Sequence, residues 1–226
     1  MRKPGLWIVV LALIAAPFVL FPSIVGWRLE AALRSDMRAQ SARVSLRGGL
    51  GTFRGNFSRL AFTVRGGQLD GVPVSEMTGE FSRVELDVGE VLGRGRLAIT
   101  RIGSGRASLT LTADDIRRYL VDQKGLHGME VGLDDGKVHL RGKVRVLNYE
   151  IDTVLRGRLV VADGRRVVMR VETLAVSGVA LPPSVAEALA ASMNPLLRAD
   201  DLPLPMRLSE VAVDDGRAVV QAVVPP

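Results

Sequence analysis

From Ala42 onward, apolar and polar residues alternate with a period of two almost without a break, the pattern of strands that bury one face. Ala42, Val44 and Leu46 show it, as do Leu60, Phe62 and Val64, then Val84, Leu86 and Val88, and Ala107, Leu109 and Leu111. Asp-Gly pairs at Asp135-Gly136, Asp163-Gly164 and Asp215-Gly216 supply hairpin turns, because Gly accepts a positive φ. A chain written this way folds as a largely antiparallel sheet.

Between Met129 and Val176 the register follows from the pattern. A two-residue turn at Asp135-Gly136 sets Leu133 against Val138 and Val131 against Leu140, with Asp134 facing Lys137 and Glu130 facing Arg141. A second turn at Leu147-Asn148 sets Val144 against Ile151 and Leu140 against Leu155, with Arg145 facing Glu150 and Lys143 facing Asp152. A three-residue loop at Asp163 to Arg165 places Val161 against Val167 and Leu159 against Met169. A slip of one residue would turn every apolar set into water.

Two short helices interrupt the strands. Thr112 is an N-cap followed by Asp114 and Asp115 in the first turn, with Ile116, Tyr119 and Leu120 as the apolar stripe. Pro182-Pro183-Ser184 opens the second, lined by Val185, Leu189 and Met193 and ended by Asn194-Pro195. The last hairpin runs from Arg207 to Val224.

The amino terminus has another character. Leu6 to Val25 is a run of 20 residues without a charge, enough helix to cross roughly 30 Å of hydrocarbon. Residues 1–26 therefore read as an uncleaved transmembrane signal anchor, and residues 27–40 as a helical stalk with Trp27 at the interface. A cleaved signal peptide is the competing reading. Arg2 and Lys3 are nearly matched by Arg28, Arg34 and Arg38, so the placement of the domain (residues 41–226) outside the cytoplasm rests on the short leading tail.

About eleven strand segments would make a sheet on the order of 50 Å wide, and two short helices cover less than half of one face. The sheet must curl on itself, pack as a sandwich, or enclose something apolar. The small aliphatic inward residues tilt the choice toward an α+β domain, a curled sheet wrapped around the two helices with a lumen for lipid. Ile116, Tyr119, Leu120, Val185, Leu189 and Met193 are its expected lining, and ordinary core packing is the alternative for each. Gly142 and Gly157 fall on inward positions, where they leave space or allow close packing.

Catalytic chemistry is not written in the chain. It lacks the nucleophile elbow, the phosphate-binding loop and the His-Glu-x-x-His helix, so no catalytic residue, metal or cofactor is expected. His127 and His139 read as solvated side chains, and acid pairs such as Asp134-Asp135 and Asp200-Asp201 as turn and cap residues. With zero Cys, thiolate chemistry is excluded, and 4% aromatic residues argue against a stacking platform for nucleic acid. Two of the charges behind the net +6 belong to the amino-terminal segment. Arg158, expected between Lys137 and Arg170, forms a like-charge cluster that suits a phosphate headgroup.

The helix start Leu111-Thr-Ala-Asp-Asp-Ile-Arg-Arg-Tyr-Leu120, the strands around Gly136 to Leu140 and Gly157 to Val161, the stretch from Asn194-Pro195 to Leu208 and the closing Val213-Asp-Asp-Gly216 carry a resemblance. Over about residues 41 to 226 their order resembles the LmeA-like phospholipid-binding family of bacterial envelope proteins. The resemblance implies an extracytoplasmic domain that binds phospholipid, with a fold similar to tubular lipid-binding proteins and no catalytic residues to carry over. The expected partners are a phospholipid or related envelope lipid and the membrane itself, through residues 6–25. The rival expectation is a non-enzymatic envelope scaffold that holds cell-wall polymer or a protein.

Overall fold

The computed structural model describes residues 21–96, 98–124, 128–146 and 149–225. Helix α1 covers residues 21–36. There follow β1 (Ser41–Arg47), β2 (Asn56–Leu69), β3 (Val72–Leu86), α2 (Val88–Arg94), β4 (Ile99–Thr112) and α3 (Ala113–Lys124). The meander β5 (Met129–Asp134), β6 (Lys137–Val146), β7 (Tyr149–Ala162) and β8 (Arg166–Val176) comes next, with the two-residue β9 (Val179–Ala180). Helix α4 (Pro183–Met193), the short β10 (Leu197–Arg198), β11 (Arg207–Asp214) and β12 (Arg217–Val223) complete the order.

The strands form two antiparallel sheets rather than one curled sheet, and neither closes into a barrel. The first has the order β1-β2-β3-β4-β12-β11, and the second β10-β8-β7-β6-β5, with β9 on β8. The reason is a long-range pairing that local periodicity does not encode. The carboxy-terminal hairpin returns to the first sheet, where Val220 lies opposite Leu109 and Ala222 opposite Ala107, leaving the meander as a sheet of its own. Within that meander every pairing read from the alternation is present, from Leu133 with Val138 to Leu159 with Met169. The loop at Leu147-Asn148 lies outside the described residues.

What covers the first sheet is α1. Val25, Leu29, Leu33 and Met37 recur every four residues, so they form one stripe, and all four are buried. Leu29 and Leu33 meet Val44, Leu60, Phe62, Ile99 and Leu204 with only about 10 Å³ left between them, room for no more than one water. Glu30 Oε1 accepts the Val44 N–H at 2.8 Å, occupying a donor on the edge strand β1. Residues 27–40 are thus an integral layer of the domain and not a stalk. Deeper in the same sheet Met77, Phe81, Leu109 and Val220 form a solid core, closed from above by Leu202, Leu204 and Met206.

The anchor proposed for residues 1–26 lies largely outside the described residues. Its final turn is described, and there Val25 is fully buried in the protein core while Phe21 packs against it. Among the described residues no helix is long and apolar enough to cross a membrane. Both helices expected in the strand region are present as α3 and α4. A third short one, α2, replaces the strand expected at Val88: the Asp87 carboxylate accepts the Glu90 N–H at 3.0 Å, and Gly95 ends the helix in the left-handed conformation.

Because α1 is a packed layer, Leu29→Ala should lower the unfolding free energy by about 3 kcal/mol, the usual cost of a core Leu truncation. Urea unfolding measures it; a free stalk would leave the midpoint unchanged.

Candidate functional site

The second sheet is covered less completely than the first. Between its inner face and α4 lies an apolar cavity of about 220 Å³. Met129, Leu140, Leu155 and Leu174 line it from the strands, and Leu181, Val185, Leu189 and Met193 from the helix side. Ile151 and Val176 add partly exposed walls. Among the described lining residues Thr153 has the single polar side chain, and its hydroxyl donates to the Ile151 carbonyl at 3.3 Å. The wall therefore offers no free polar group to orient a ligand, only shape and aliphatic surface.

Helix α4 creates this space through its own sequence. Pro183 starts it, as a residue with no N–H to lose at that position. Ala186, Ala190 and Met193 are buried, while Val185 overhangs the cavity at 44% exposure and Leu189 is half-buried. Both ends of the helix are fastened to β8. At the front the Leu181 N–H donates to the Leu174 carbonyl at 2.8 Å. At the back the Asn194 side chain imitates a strand residue: its Oδ1 accepts the Met169 N–H at 2.8 Å and its Nδ2 donates to the Met169 carbonyl at 3.0 Å. Fixed at its two ends and small on its buried side, α4 stands off the sheet along its middle.

The expected lining residues separate into two groups. Val185, Leu189 and Met193 meet in the cavity. Ile116, Tyr119 and Leu120 are buried at 7%, 7% and 2% exposure in the main core, where α3 packs on β3 and β5. Burial pushes the Tyr119 phenol above its ordinary pKa, with Asp70 adding to the effect. The strand residues Met129 and Leu174 were not singled out in the sequence, although their place on the inward face was legible. Gly142 and Gly157 do not open space. A Cβ at Gly142 would come within 2.4 Å of the Gly128 carbonyl, and one at Gly157 equally near that of Arg170.

Two of the three cations of the proposed headgroup cluster share an internal carboxylate. A bulge opposite Arg156 and Gly157 leaves Glu172 unpaired in the ladder. Its carboxylate takes Lys137 at 3.2 Å and Arg158 at 2.7 Å. Arg158 sits opposite Arg170 as expected, and no carboxylate pairs with Arg170 among the described residues. The bulge shifted the register by one residue, and alternation alone gives no sign of it.

Elsewhere the charged groups serve the fold. Asp115, 1% exposed, accepts from the Thr112 N–H and hydroxyl, from Ser75 and from Arg118. Asp114 pairs with Arg117 and Arg118, and the Arg117 contact holds its carboxyl below the usual range. His139 pairs with Asp134, and His127 lies outside the described residues. Among the described residues no group of three or more His, Cys, Asp or Glu could hold a metal. A polar cleft of about 470 Å³ beside Arg38, Gln40, Arg65 and Arg118 was not foreseen. Two of its arginines are already paired, Arg65 with Glu76 and Arg118 with Asp115.

The geometry is that of an α+β domain with a solid first sheet and an apolar groove held open over the second. The family model of LmeA-like phospholipid-binding proteins matches residues 19–223, and the chain belongs to that family. The match begins with α1, which agrees with its place in the core. Curated proteins give no match, and neither do solved structures.

Asn194→Ala removes both hydrogen bonds to Met169 and strands two backbone groups. It should cost about 1–3 kcal/mol in urea unfolding and speed amide exchange in α4 ahead of β6 and β7.

Proposed function

We propose that the protein is a membrane-anchored, extracytoplasmic phospholipid-binding protein that holds an acyl chain in the groove beneath α4, without catalysing a reaction. The observation that carries this reading is the cavity itself: its described walls are aliphatic apart from Thr153, whose hydroxyl is already bonded. Family membership supplies the lipid class.

Magnitudes limit what the groove holds. An engineered cavity of about 150 Å³ admits a benzene ring, so 220 Å³ takes on the order of eight carbons of one chain rather than a whole diacyl lipid. At about 0.8 kcal/mol per methylene, that segment gains roughly 6 kcal/mol before the cost of association is subtracted. Such an interaction is weak from solution. It becomes effective when the protein is kept beside its lipid, which is what an anchor in the uncharged sequence before Phe21 would do. The rest of the lipid stays on the protein surface, so a chain can be taken up and released, as transfer between envelope layers requires.

Leu189→Trp fills the groove without touching the buried side of α4. The protein purified gently should carry phospholipid detectable by native mass spectrometry, and the variant should carry at least tenfold less while unfolding at the same urea concentration. A wild-type chain free of lipid, or a variant that retains it, overturns the groove reading. A truncated form for this experiment must begin before residue 19, because a cut at residue 40 would remove α1 from the core.

A further inference from the structure

The end of the first sheet where β1 passes into β2 carries a surface that neither the core nor the groove uses. A 3-10 turn, Leu50–Arg54, joins the two strands and presents Phe53 at 41% exposure. The Phe53 ring lies 4.7 Å from that of Phe21 in the first turn of α1. Ile24 and Trp27, on the same two turns of α1, are 51% and 63% exposed. Half of the large apolar side chains that stand in solvent among the described residues therefore belong to this one turn and the helix beside it.

Four arginines gather there, while Glu85, opposite Asn56 at the same end, is paired with Arg101. Arg47 lies directly opposite Arg59 at the mouth of the β1–β2 pair, and like charges so placed are unfavourable unless something anionic lies between. Arg54 ends the 3-10 turn, and Arg28 stacks over Trp27 with its guanidinium 5.5 Å from the ring centroid. None of these four arginines forms an ion pair with a carboxylate among the described residues. Glu30, the acid nearest in sequence on α1, is engaged with the Val44 N–H.

We infer that this end of the domain docks flat on an anionic phospholipid bilayer, Phe53, Ile24 and Trp27 entering the headgroup layer and Arg28, Arg47, Arg54 and Arg59 binding phosphates. Three features select a bilayer over a protein. Aromatic rings beside guanidiniums match the interfacial zone of a membrane. The unpaired cations complement a surface of phosphates, each contributing about a fivefold gain in binding. The chain also enters this patch directly from the uncharged sequence before Phe21. The inference rests on the membrane-anchored reading and adds an orientation to it: the β1–β2 end of the first sheet meets the bilayer, and the groove belongs to the other sheet.

The chain has no cysteine, so a single one can carry a polarity-sensitive label. The full chain with Phe53→Cys, and separately with Val179→Cys on β9, is reconstituted into phosphatidylcholine vesicles with or without about one-third phosphatidylglycerol. Trp7→Phe in the otherwise unaltered chain leaves Trp27 as its only tryptophan, a second reporter. Docking shifts the residue 53 label and Trp27 to a nonpolar signal, quenched by lipids brominated near the headgroup, in the anionic vesicles, and leaves the residue 179 label aqueous. The double change Arg47→Glu and Arg54→Glu returns residue 53 to water while the chain still floats with the vesicles. Flotation with an aqueous signal at both residue 53 and Trp27 overturns the docking and leaves the anchor standing. Loss of flotation overturns both. A signal equally shielded without vesicles marks contact between copies of the chain and also overturns the inference.

Discussion

The contact on which the rest of this architecture depends is the stripe of Val25, Leu29, Leu33 and Met37 lying across Leu60 and Phe62. A six-stranded sheet with one apolar face cannot remain open to water, and this helix is the largest piece of cover available to it. Four buried side chains contribute on the order of 6–12 kcal/mol of gross transfer energy, comparable with the net stability of a whole domain. Glu30 gives the same helix a fixed register along β1. Once α1 is in place, the first sheet is finished. Any apolar surface left for a ligand must lie on the second.

There the supply of cover runs short. The inner face of β5 to β8 receives α4, a helix whose buried positions are mostly alanine. Alanines allow close approach at their own positions but reach nothing further away, so the space beneath Val185 and Leu189 is left unfilled. A closer approach of the helix is resisted by the way its ends are tied, Leu181 to Leu174 and Asn194 to Met169, both on β8. The groove is thus a consequence of side-chain size and two fastenings. It needs no strained backbone and no buried charge, which fits a site meant to receive methylene groups.

Much of this was legible in the residues, and the failures have identifiable causes. The meander from Met129 to Val176 could be written down pair by pair because a one-residue slip would expose every inward Leu and Val. The α4 half of the groove followed from the spacing of Val185, Leu189 and Met193. The α1 stripe was equally regular in sequence, yet its first members fall within an uncharged run long enough to span a bilayer, and hydropathy overrode periodicity. That misreading had a consequence, for without α1 the domain seemed to possess far more greasy surface than it could hide. The division into two sheets depends on Val220 finding Leu109 across more than a hundred residues, and the Glu172 bulge depends on one extra residue in a ladder. Neither leaves a mark in local alternation.

The distribution of arginine completes the physical argument. Around the second sheet and α3, guanidiniums meet carboxylates: Arg158 with Glu172, Arg118 with Asp114 and Asp115, Arg166 with Asp163. Exposed pairs of this kind add little stability, but each offsets a charge locally. Arg28, Arg47, Arg54 and Arg59, where β1 turns into β2, have no such partner among the described residues, and that is also where aromatic rings stand out of the core. Solubility alone would favour the reverse arrangement, with rings covered and charges mixed. A surface that keeps its cations unpaired beside exposed rings is suited to a boundary that is at once polar and oily. The apolar groove, by contrast, has no charged residue in its described lining, so binding there is governed by the shape and length of the guest.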